Sequence, residues 1–303
     1  MTNQSTERTI LVTGVNGQVG FELARSLQGL GRVVAVDRSA LDLSDLDEIR
    51  RVVRDLRPAL IVNPAAYTAV DKAESDVDAA MRINAEAPGV LAEEAKRLNA
   101  ALIHYSTDYV FDGTKDSPYV EDDATNPQNV YGASKLAGER AIADVGGSHI
   151  VFRTSWVYGR RGKNFLLTML RLGAERPELR IVGDQFGAPT WSTTIATLTA
   201  HVVAQGLAAS EGDASWWQEK TGVYNLTASG STSWAGFAEA IFEQANPALK
   251  PKVTSIAAAE YPVPAKRPFN SQLSGDKLAK TFGLRAPNWI DALKLCFGDG
   301  LSV

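Results

Sequence analysis

The chain has 303 residues, of which 45% are hydrophobic and 22% are charged, as is ordinary for a globular protein with a sizeable core. Its net charge of -4 and its isoelectric point near 5.5 give no support to nucleic-acid binding through a broad basic surface. No apolar run reaches the roughly 18 to 20 residues of a membrane span, and the polar stretch 1–8 lacks the apolar core of a signal peptide, so we interpret it as a loose tail.

A glycine-rich turn lies between the first predicted strand, 9–13, and a predicted helix that extends to about Leu30. Gly14, Gly17 and Gly20 give it the spacing Gly-x-x-Gly-x-x-Gly, one residue longer at the front than the usual dinucleotide fingerprint. Glycines at such a turn let the backbone approach a pyrophosphate, which then lies at the helix N-terminus. The turn therefore predicts a dinucleotide site.

The second predicted strand, 32–37, completes a βαβ unit and ends in an acidic residue. Asp37 follows Gly17 by twenty residues, where a carboxylate accepts hydrogen bonds from the adenosine ribose, and this favours NADH. Arg38 directly after it could instead pair with a 2′-phosphate, so NADPH stays open. Asp37 could also be a turn residue at the end of a strand.

The chain then continues to alternate between helix and strand. We predict a helix that begins after Ser44, a third strand at 59–63 and a long helix at about 76–99. Small residues at 63–71 follow the third strand, at the strand end where ligands of open α/β sheets bind. Asn84, within the long helix, is predicted to be an internal partner of main-chain groups.

The fourth predicted strand, 101–107, ends in candidate site residues. The hydroxyl of Thr107 is placed to hydrogen-bond a substrate oxygen, although a threonine here could also cap the strand end. The loop 110–128 is rich in Asp, Gly, Pro and Asn and is too long for a simple connection, so we expect it to line a site.

Tyr131 and Lys135 lie on one face of the next predicted helix, from Asn129 to about Ala143, with Cβ atoms about 5–6 Å apart. A phenol has a pKa of about 10, and a fixed ammonium beside it favours the phenolate and lowers that pKa. Such a tyrosine can exchange a proton with a substrate oxygen. Most Tyr-x-x-x-Lys pairs are packed or exposed tyrosines beside a solvated lysine, so the spacing alone does not establish this role.

A fifth predicted strand, 149–154, ends the strict alternation, which predicts an α/β fold with a Rossmann-like doubly wound parallel sheet. Beyond it the pattern loosens, and we predict two short closing helices, a polar loop at 211–221, helices at 164–175, 193–209 and 233–245, and strands at 179–182 and 222–228. We expect residues 1–160 to form an NAD(P)-binding Rossmann-like domain, with later returns from the C-terminal half. Residues 161–303 are expected to form a smaller substrate-binding α/β cap.

Six motifs together resemble those of the extended short-chain dehydrogenase/reductase superfamily, from about Thr9 to Trp289. They are 17–20, 65–74, 106–111, the Tyr131-x-x-x-Lys135 pair, 153–158 and 184–190. The first or the third alone is weakly specific, whereas the set is highly specific. Within the superfamily the motifs are most similar to those of enzymes that reduce 4-keto sugar nucleotides.

The resemblance implies a role for each matching residue. For the cofactor it implies Gly14, Gly17, Gln18, Val19 and Gly20 at the pyrophosphate, Asp37 at the adenosine ribose, Asp42 and Leu43 beside the adenine, and Ala66, Tyr67, Thr68, Tyr131 and Lys135 towards the nicotinamide ribose. For the substrate it implies Thr107, Asp108, Trp156, Arg267 and Ser271, the last two on the nucleotide diphosphate. An arginine suits that place because its planar fork matches phosphate oxygens, although Arg267 could also be a surface residue.

The implied reaction is reduction of the C4 ketone of dTDP-4-dehydro-6-deoxy-L-mannose by NADH or NADPH, in the synthesis of nucleotide sugars for cell-surface polysaccharides. Tyr131 would donate a proton to the developing alkoxide, Lys135 would lower its pKa, and Thr107 would hydrogen-bond the same oxygen. The expected partner is therefore a small nucleotide sugar, with no nucleic acid and no membrane.

Three other functions are compatible with parts of this pattern. A sugar-nucleotide dehydratase or epimerase shares the fold and the Tyr/Lys pair, but dehydratases tend to place Asp-Glu after the threonine, whereas Asp108 is followed by Tyr109. A non-catalytic NAD(P)-binding regulatory subunit is disfavoured by the intact set of Thr107, Tyr131 and Lys135. A scaffold without a ligand would bind no NAD(P)H.

The C-terminal region holds the single cysteine, Cys296, so no disulfide can form within the chain and the expected location is the cytoplasm. One cysteine and three scattered histidines give no metal-ligand cluster. Some members of the family are described as dimers bridged by Mg²⁺ through acidic residues near the C-terminus. The end of this chain offers mainly Asp291 and Asp299, so we predict no metal site, while a homodimer stays open.

Overall fold

The structure is a computed structural model that describes residues 8–209, 215–245 and 251–298. The loose tail at 1–7, the first part of the polar loop at 211–214 and Asp299 lie outside the described residues. The described strands are β1 (Thr9–Val12), β2 (Arg32–Ala35), β3 (Leu60–Asn63), β4 (Ala101–Thr107), β5 (His149–Thr154), β6 (Val157–Tyr158), β7 (Glu178–Val182), β8 (Phe186–Gly187), β9 (Thr190–Trp191), β10 (Gly222–Asn225), β11 (Thr232–Ser233) and β12 (Lys252–Ile256).

The described α-helices alternate with these strands through the first half of the chain. They are α1 (Gln18–Ser26), α2 (Leu46–Leu56), α3 (Val70–Ala73), α4 (Val77–Met81), α5 (Ala87–Arg97), α6 (Val130–Val145), α7 (Phe165–Glu175), α8 (Ser192–Ala209), α9 (Ser215–Glu219), α10 (Trp234–Gln244), α11 (Asp276–Phe282) and α12 (Trp289–Gly298). A π-helical turn, Arg82–Glu86, joins α4 to α5, and 3₁₀ turns occupy Asp108–Val110 and Ala258–Glu260. No helix in the described ranges combines the length and apolarity needed to cross a membrane.

A six-stranded parallel sheet with the order β10-β5-β4-β3-β1-β2 forms the centre of the molecule. Successive residues of a strand point to opposite faces. Ile10 and Val12 accordingly pack with α1 and α8 on one face, whereas Leu11 packs with α2 and α5 on the other. The predicted doubly wound parallel sheet is therefore confirmed.

The C-terminal half contributes to this sheet and also builds a second, smaller core. Strand β10 pairs with β5 at the sheet edge, and α8 packs on α1. The second core lies between α7, α10 and α12 and the parallel pair β7/β12. Strand β12 is short and only partly buried, and it was not predicted from the sequence.

Three other elements differ from the sequence-based expectations. Helix α1 ends at Ser26 rather than near Leu30, because Gly29 and Gly31 have φ values of +86° and +156°. The predicted long helix contains the π-helical turn, and Asn84 within it hydrogen-bonds both main-chain groups of Tyr67, which confirms it as an internal partner. Helix α9 occupies part of the predicted polar loop.

The topology determines where a ligand can enter. From β1 the chain turns to β2 on one side, and from β2 it crosses to β3 on the other side of β1. The crevice at the carboxyl ends of β1 and β3 is therefore the switch point of the sheet, where open α/β folds bind ligands.

We predict that Glu139→Gln lowers the free energy of unfolding by about 3 to 5 kcal/mol, because it leaves the buried guanidinium of Arg153 unpaired. In the native protein Arg153 Nη2 lies 2.6 Å from Glu139 Oε2, and both side chains are 5% exposed. Denaturant unfolding measures the change. The control is Glu175→Gln, which breaks the exposed pair with Arg171 and should cause no measurable loss. Equal losses in the two variants would contradict the prediction.

Candidate active site

A cavity of about 620 Å³ opens at the carboxyl ends of β1, β3 and β4. Twelve of the residues proposed from the sequence line it: Gly14, Gly17, Gln18, Val19, Gly20, Ala66, Thr68, Thr107, Asp108, Tyr131, Lys135 and Trp156. Six others do not line it: Asp37, Asp42, Leu43, Tyr67, Arg267 and Ser271. Its size and its place at the switch point fit a cofactor pocket.

The glycine turn forms one end of this cavity. Gly14 has φ +59°, which favours glycine, and the N–H of Gly17 donates to its carbonyl at 2.9 Å. A Cβ on Gly20 would overlap the same carbonyl, so the helix can pack this closely only with glycine there. Helix α1 begins at Gln18 with no side-chain cap on its first N–H groups. The turn therefore fits a pyrophosphate, which these N–H groups can bind.

Asp37 lies just beyond β2 and is held in place by its neighbours. Its carboxylate accepts hydrogen bonds from Ser39 Oγ at 2.6 Å and from Asn16 Nδ2 at 3.0 Å. These bonds, Ser39 first, hold the pKa of Asp37 below its ordinary value. Arg38 instead pairs with Asp42 at 3.1 Å, and its side chain is 79% exposed. The chain directly after β2 thus presents a fixed negative charge.

The residues around Asp37 take different places. Hydrogen bonds from Ser44, its main-chain N–H first, lower the pKa of Asp42. Leu43 is buried in the core beside α2. The hydroxyl of Tyr67 points away from the cavity and donates to Asp76 at 3.0 Å, so Tyr67 could meet a cofactor only through its main chain.

Tyr131, Thr107 and Asp108 meet at the inner end of the cavity. The Thr107 hydroxyl hydrogen-bonds the Tyr131 phenol and also lies 3.1 Å from Asp108 Oδ1. Burial raises the pKa of Tyr131 to about 12, and the negative charge of Asp108 adds to this rise. We expected Lys135 to bring this pKa below its ordinary value, and that expectation is wrong because burial dominates the net shift. The phenol is thus protonated at neutral pH.

Asp108 is the other unusual acid of the cluster. Its side chain is buried, which raises its pKa to about 7 despite hydrogen bonds with Ser271 and Thr107. Its Oδ2 atom has no hydrogen-bond partner among the described residues, and the same is true of the buried hydroxyls of Ser106 and Thr154 on the same cavity. These atoms leave buried hydrogen-bonding capacity for a ligand rich in hydroxyl groups.

Lys135 is almost fully buried, one helical turn from Tyr131. Burial lowers its pKa to about 8, and the nearby Glu139 partly offsets that shift. Its Nζ lies 3.1 Å from Nε2 of His104, on β4. Sequence reasoning missed His104. The one available signal was a titratable residue directly after the apolar run 101–103.

Trp156 forms the opposite wall. The main chain of Trp156 has φ +48°, a value that is uncommon for residues other than glycine. Its ring stacks on that of Trp234, with ring centroids 3.5 Å apart. Gly187 contacts the Trp156 ring so closely that a Cβ there would overlap it. These two contacts thus fix the orientation of the indole.

Arg267 lines a second cavity of about 930 Å³ beside the first, in the C-terminal half. Its Nη2 pairs with Asp71 Oδ2 at 2.8 Å, while its buried Nη1 has no hydrogen-bond partner among the described residues. Tyr109 lines both cavities and packs edge-on against Tyr131. An unpaired guanidinium nitrogen at this junction suits an anionic group that spans the two cavities.

Comparison with known proteins assigns this architecture to a family. Residues 8–301 match the family described as RmlD substrate binding domain. The dTDP-4-dehydrorhamnose reductase of Burkholderia thailandensis is 52% identical over 97% of this chain and 99% of its own length. The protein of that name from Escherichia coli is 45% identical over 92% of this chain and 94% of its own.

A solved structure gives the same result. The dTDP-4-dehydrorhamnose reductase of Bacillus anthracis, in complex with NADP, has a TM-score of 0.88 at 34% identity and covers 97% of this chain and 99% of its own. The chain is therefore similar to these reductases along nearly its whole length.

We predict that Asp108→Asn makes the protein more stable relative to wild type as the pH rises. Because the folded-state pKa of Asp108 is raised from 3.8 to about 7, folding favours the protonated carboxyl and wild-type stability falls as the pH increases through this range. Between pH 5 and pH 8 the difference in unfolding free energy should grow by about 2 to 3 kcal/mol.

Denaturant unfolding at the two pH values tests this. The control Asp78→Asn changes an exposed carboxylate and should show the same difference from wild type at both. A pH-independent difference for Asp108→Asn would contradict the prediction.

Proposed function

The chain belongs to the RmlD substrate binding domain family, and we propose that it is an NAD(P)H-dependent dTDP-4-dehydrorhamnose reductase. It reduces the C4 ketone of dTDP-4-dehydro-6-deoxy-L-mannose to dTDP-L-rhamnose, within dTDP-rhamnose biosynthesis. The motif-based resemblance to reductases of sugar nucleotides is confirmed by the comparisons. The observation that carries the proposed chemistry is a buried phenol, hydrogen-bonded to Thr107, in a cavity that begins at a glycine turn.

The chain holds the cofactor along the floor of the first cavity. Gly17, Gln18 and Val19 present main-chain groups to the pyrophosphate, and Asp37 accepts from the adenosine ribose. Lys135 and Tyr131 bind the nicotinamide ribose. When bound, NADH or NADPH supplies the hydride for the reduction.

Tyr131 acts as the general acid. Its raised pKa keeps the phenol protonated at neutral pH, so it can donate when the substrate oxygen gains negative charge. Thr107 hydrogen-bonds the phenol and the same substrate oxygen. The ammonium of Lys135 stabilises the phenolate that donation leaves behind, which lowers the cost of the transfer.

The remaining residues hold the substrate. Trp156 packs against the deoxysugar, and Asp108 and Ser271 hydrogen-bond near its hydroxyl groups. The unpaired Nη1 of Arg267 binds the diphosphate, and the second cavity takes the nucleoside. Both hydrogen bonds and apolar contacts are then available along the whole ligand.

These roles also assign a function to each half of the chain and a cellular location to the enzyme. Residues 1–160, with later returns such as β10, form the cofactor-binding domain, and residues 161–303 form the smaller substrate-binding domain. The cytoplasm supplies the reduced cofactor and fits a chain whose single cysteine is buried and can form no disulfide within the chain. The product would supply rhamnose for cell-surface polysaccharides such as O-antigen. A homodimer stays a prediction.

Tyr131→Phe should lower kcat at least ~100-fold while cofactor binding is retained, because the variant loses the proton donor and keeps the ring. The absorbance of the nicotinamide measures turnover of the 4-keto sugar nucleotide, and fluorescence titration measures NADH binding. The matched control is Tyr224→Phe, which removes a distant hydroxyl bonded to the Lys220 carbonyl and should leave the rate unchanged. An unimpaired Tyr131→Phe enzyme would remove Tyr131 from the reaction.

The same assay separates a reductase from an epimerase. A reductase oxidises one cofactor for each substrate molecule that it converts, whereas an epimerase retains its NAD.

Asp37→Ala should raise the ratio of kcat/KM with NADPH to kcat/KM with NADH by about tenfold, because it removes a fixed carboxylate that repels a 2′-phosphate. The hydrogen-bond donors Asn16 and Ser39 remain beside that place. The measurement is initial rates with each cofactor at low concentration. The control Asp45→Ala removes a nearby carboxylate that caps α2 and should leave the ratio unchanged. An unaltered ratio in Asp37→Ala would show that Asp37 does not discriminate between the cofactors.

A further inference from the structure

A buried chain of polar side chains runs from the active site into the sheet. Lys135 Nζ lies 3.1 Å from His104 Nε2, and His104 Nδ1 lies 3.1 Å from Asn63 Nδ2. Asn63 Oδ1 in turn accepts from the hydroxyl of Thr13 at 2.6 Å. All four side chains are buried, with at most 2% of the residue exposed. This row of polar side chains therefore links the end of α6 nearest the cavity with β4, β3 and β1.

His104 is the hydrogen-bond partner of the Lys135 ammonium, and no other is found among the described residues. An ammonium has three N–H donors and no acceptor. It can therefore bond His104 only if Nε2 carries a lone pair, and a neutral ring must then carry its proton on Nδ1. The contact requires a particular tautomer as well as a neutral ring.

The surroundings of His104 provide the neutral ring, whereas the tautomer depends on Asn63. Burial, and then the charge of Lys135, hold the pKa of His104 well below its ordinary value, so the ring is neutral. The main-chain carbonyl of Asn63 hydrogen-bonds the ring and partly offsets this shift, as an acceptor for an N–H would. Strand pairing places Asn63 directly opposite His104 in the sheet. In the structure the donor nitrogen Asn63 Nδ2 faces Nδ1. A proton on Nδ1 therefore requires this amide turned so that its oxygen accepts from Nδ1 and its nitrogen donates to the Thr13 hydroxyl. In that orientation Asn63 fixes the tautomer and directs the imidazole towards Lys135.

Other charged and titratable groups around Lys135 come from three elements. Tyr131 and Glu139 share its helix, Arg153 on β5 pairs with Glu139, and Asp108 follows β4. Of these, Glu139 alone contributes to the pKa of Lys135 beside burial. Because Arg153 neutralises much of that carboxylate, the imidazole is the nearest group that can favour the ammonium by a direct hydrogen bond.

We propose that His104 is a positioning residue of the reductase, which holds the Lys135 ammonium at the cavity edge through Nε2 and keeps it charged up to the alkaline limit of activity. The proposal deepens the proposed function and rests on it for the part that concerns turnover. Lys135 favours the phenolate of Tyr131 only while it is charged. The contact with His104 then determines where the rate begins to fall as the pH rises.

Two amide variants separate this role from packing. In His104→Gln the side-chain oxygen can reach the place of Nε2 and accept from Lys135, whereas in His104→Asn the amide reaches the place of Nδ1 and leaves Lys135 without an acceptor. Removal of an acceptor from a charged group lowers its pKa, so the alkaline limb of the pH profile should move to lower pH. We expect a shift of about one pH unit for His104→Asn and less than half of that for His104→Gln.

The experiment measures kcat/KM for the 4-keto sugar nucleotide from pH 6 to pH 10 in wild type and both variants, with thermal melts and NADH binding to show that each is folded. At pH 6 the three rates should agree within about threefold, because Lys135 is charged in all of them. Equal shifts in the two variants, or no shift in either, would overturn the proposal.

A second measurement does not depend on turnover. The protein has three histidines, so ¹⁵N imidazole spectra are simple, and the signals absent from His104→Gln identify His104. We expect a neutral ring with the proton on Nδ1 from pH 5 to pH 7. A protonated ring, or a proton on Nε2, would overturn the proposal even if wild type did not reduce the sugar nucleotide. Absence of wild-type turnover with the expected spectrum would overturn the proposed function and leave the Lys135 contact established.

Discussion

The site depends on one constraint, the burial of polar side chains away from water at the carboxyl ends of the central strands. Burial penalises each charged form, so it raises the pKa of Tyr131 and Asp108 and lowers that of Lys135. The tyrosine is therefore a proton donor at neutral pH, as reduction of a ketone requires. Lys135 remains useful as an ammonium only because its few contacts offset part of the cost of burial.

The sheet supplies that burial and also the opening to it. Helices cover both faces of the sheet, and the cavity opens at the carboxyl ends of β1, β3 and β4, beside the switch point. The glycine turn at Gly14 keeps this crevice free of side chains on one side. The π-helical turn with Asn84 fixes the main chain of Tyr67 on the other. A single cavity can therefore hold a dinucleotide and meet the Tyr131 helix.

The two halves of the chain meet at the site through a small number of polar contacts. Arg267 pairs with Asp71, and Ser271 hydrogen-bonds Asp108. Asn129 caps α6 through its Oδ1 while its Nδ2 donates to the Lys266 carbonyl at 2.8 Å. The segment that we propose binds the diphosphate is thus tied to the same turn that carries Tyr131. Substrate contacts and proton-transfer groups consequently share partners.

Local patterns in the sequence were sufficient for the sheet, the glycine turn and the Tyr131/Lys135 pair, because strand, turn and helix signals depend on neighbours within a few residues. They missed β12, whose only strand partner in the described part of the chain is the distant β7, and they gave the wrong direction for the pKa of Tyr131. That direction depends on burial, which arises only when β4, α6 and the segment after β12 are packed together. Two hydrogen bonds are likewise decided by the tertiary structure: the contact between His104 and Lys135, and that between Asp71 and Arg267, which are 196 positions apart. Nothing local in the chain specifies which distant side chain will share a desolvated site.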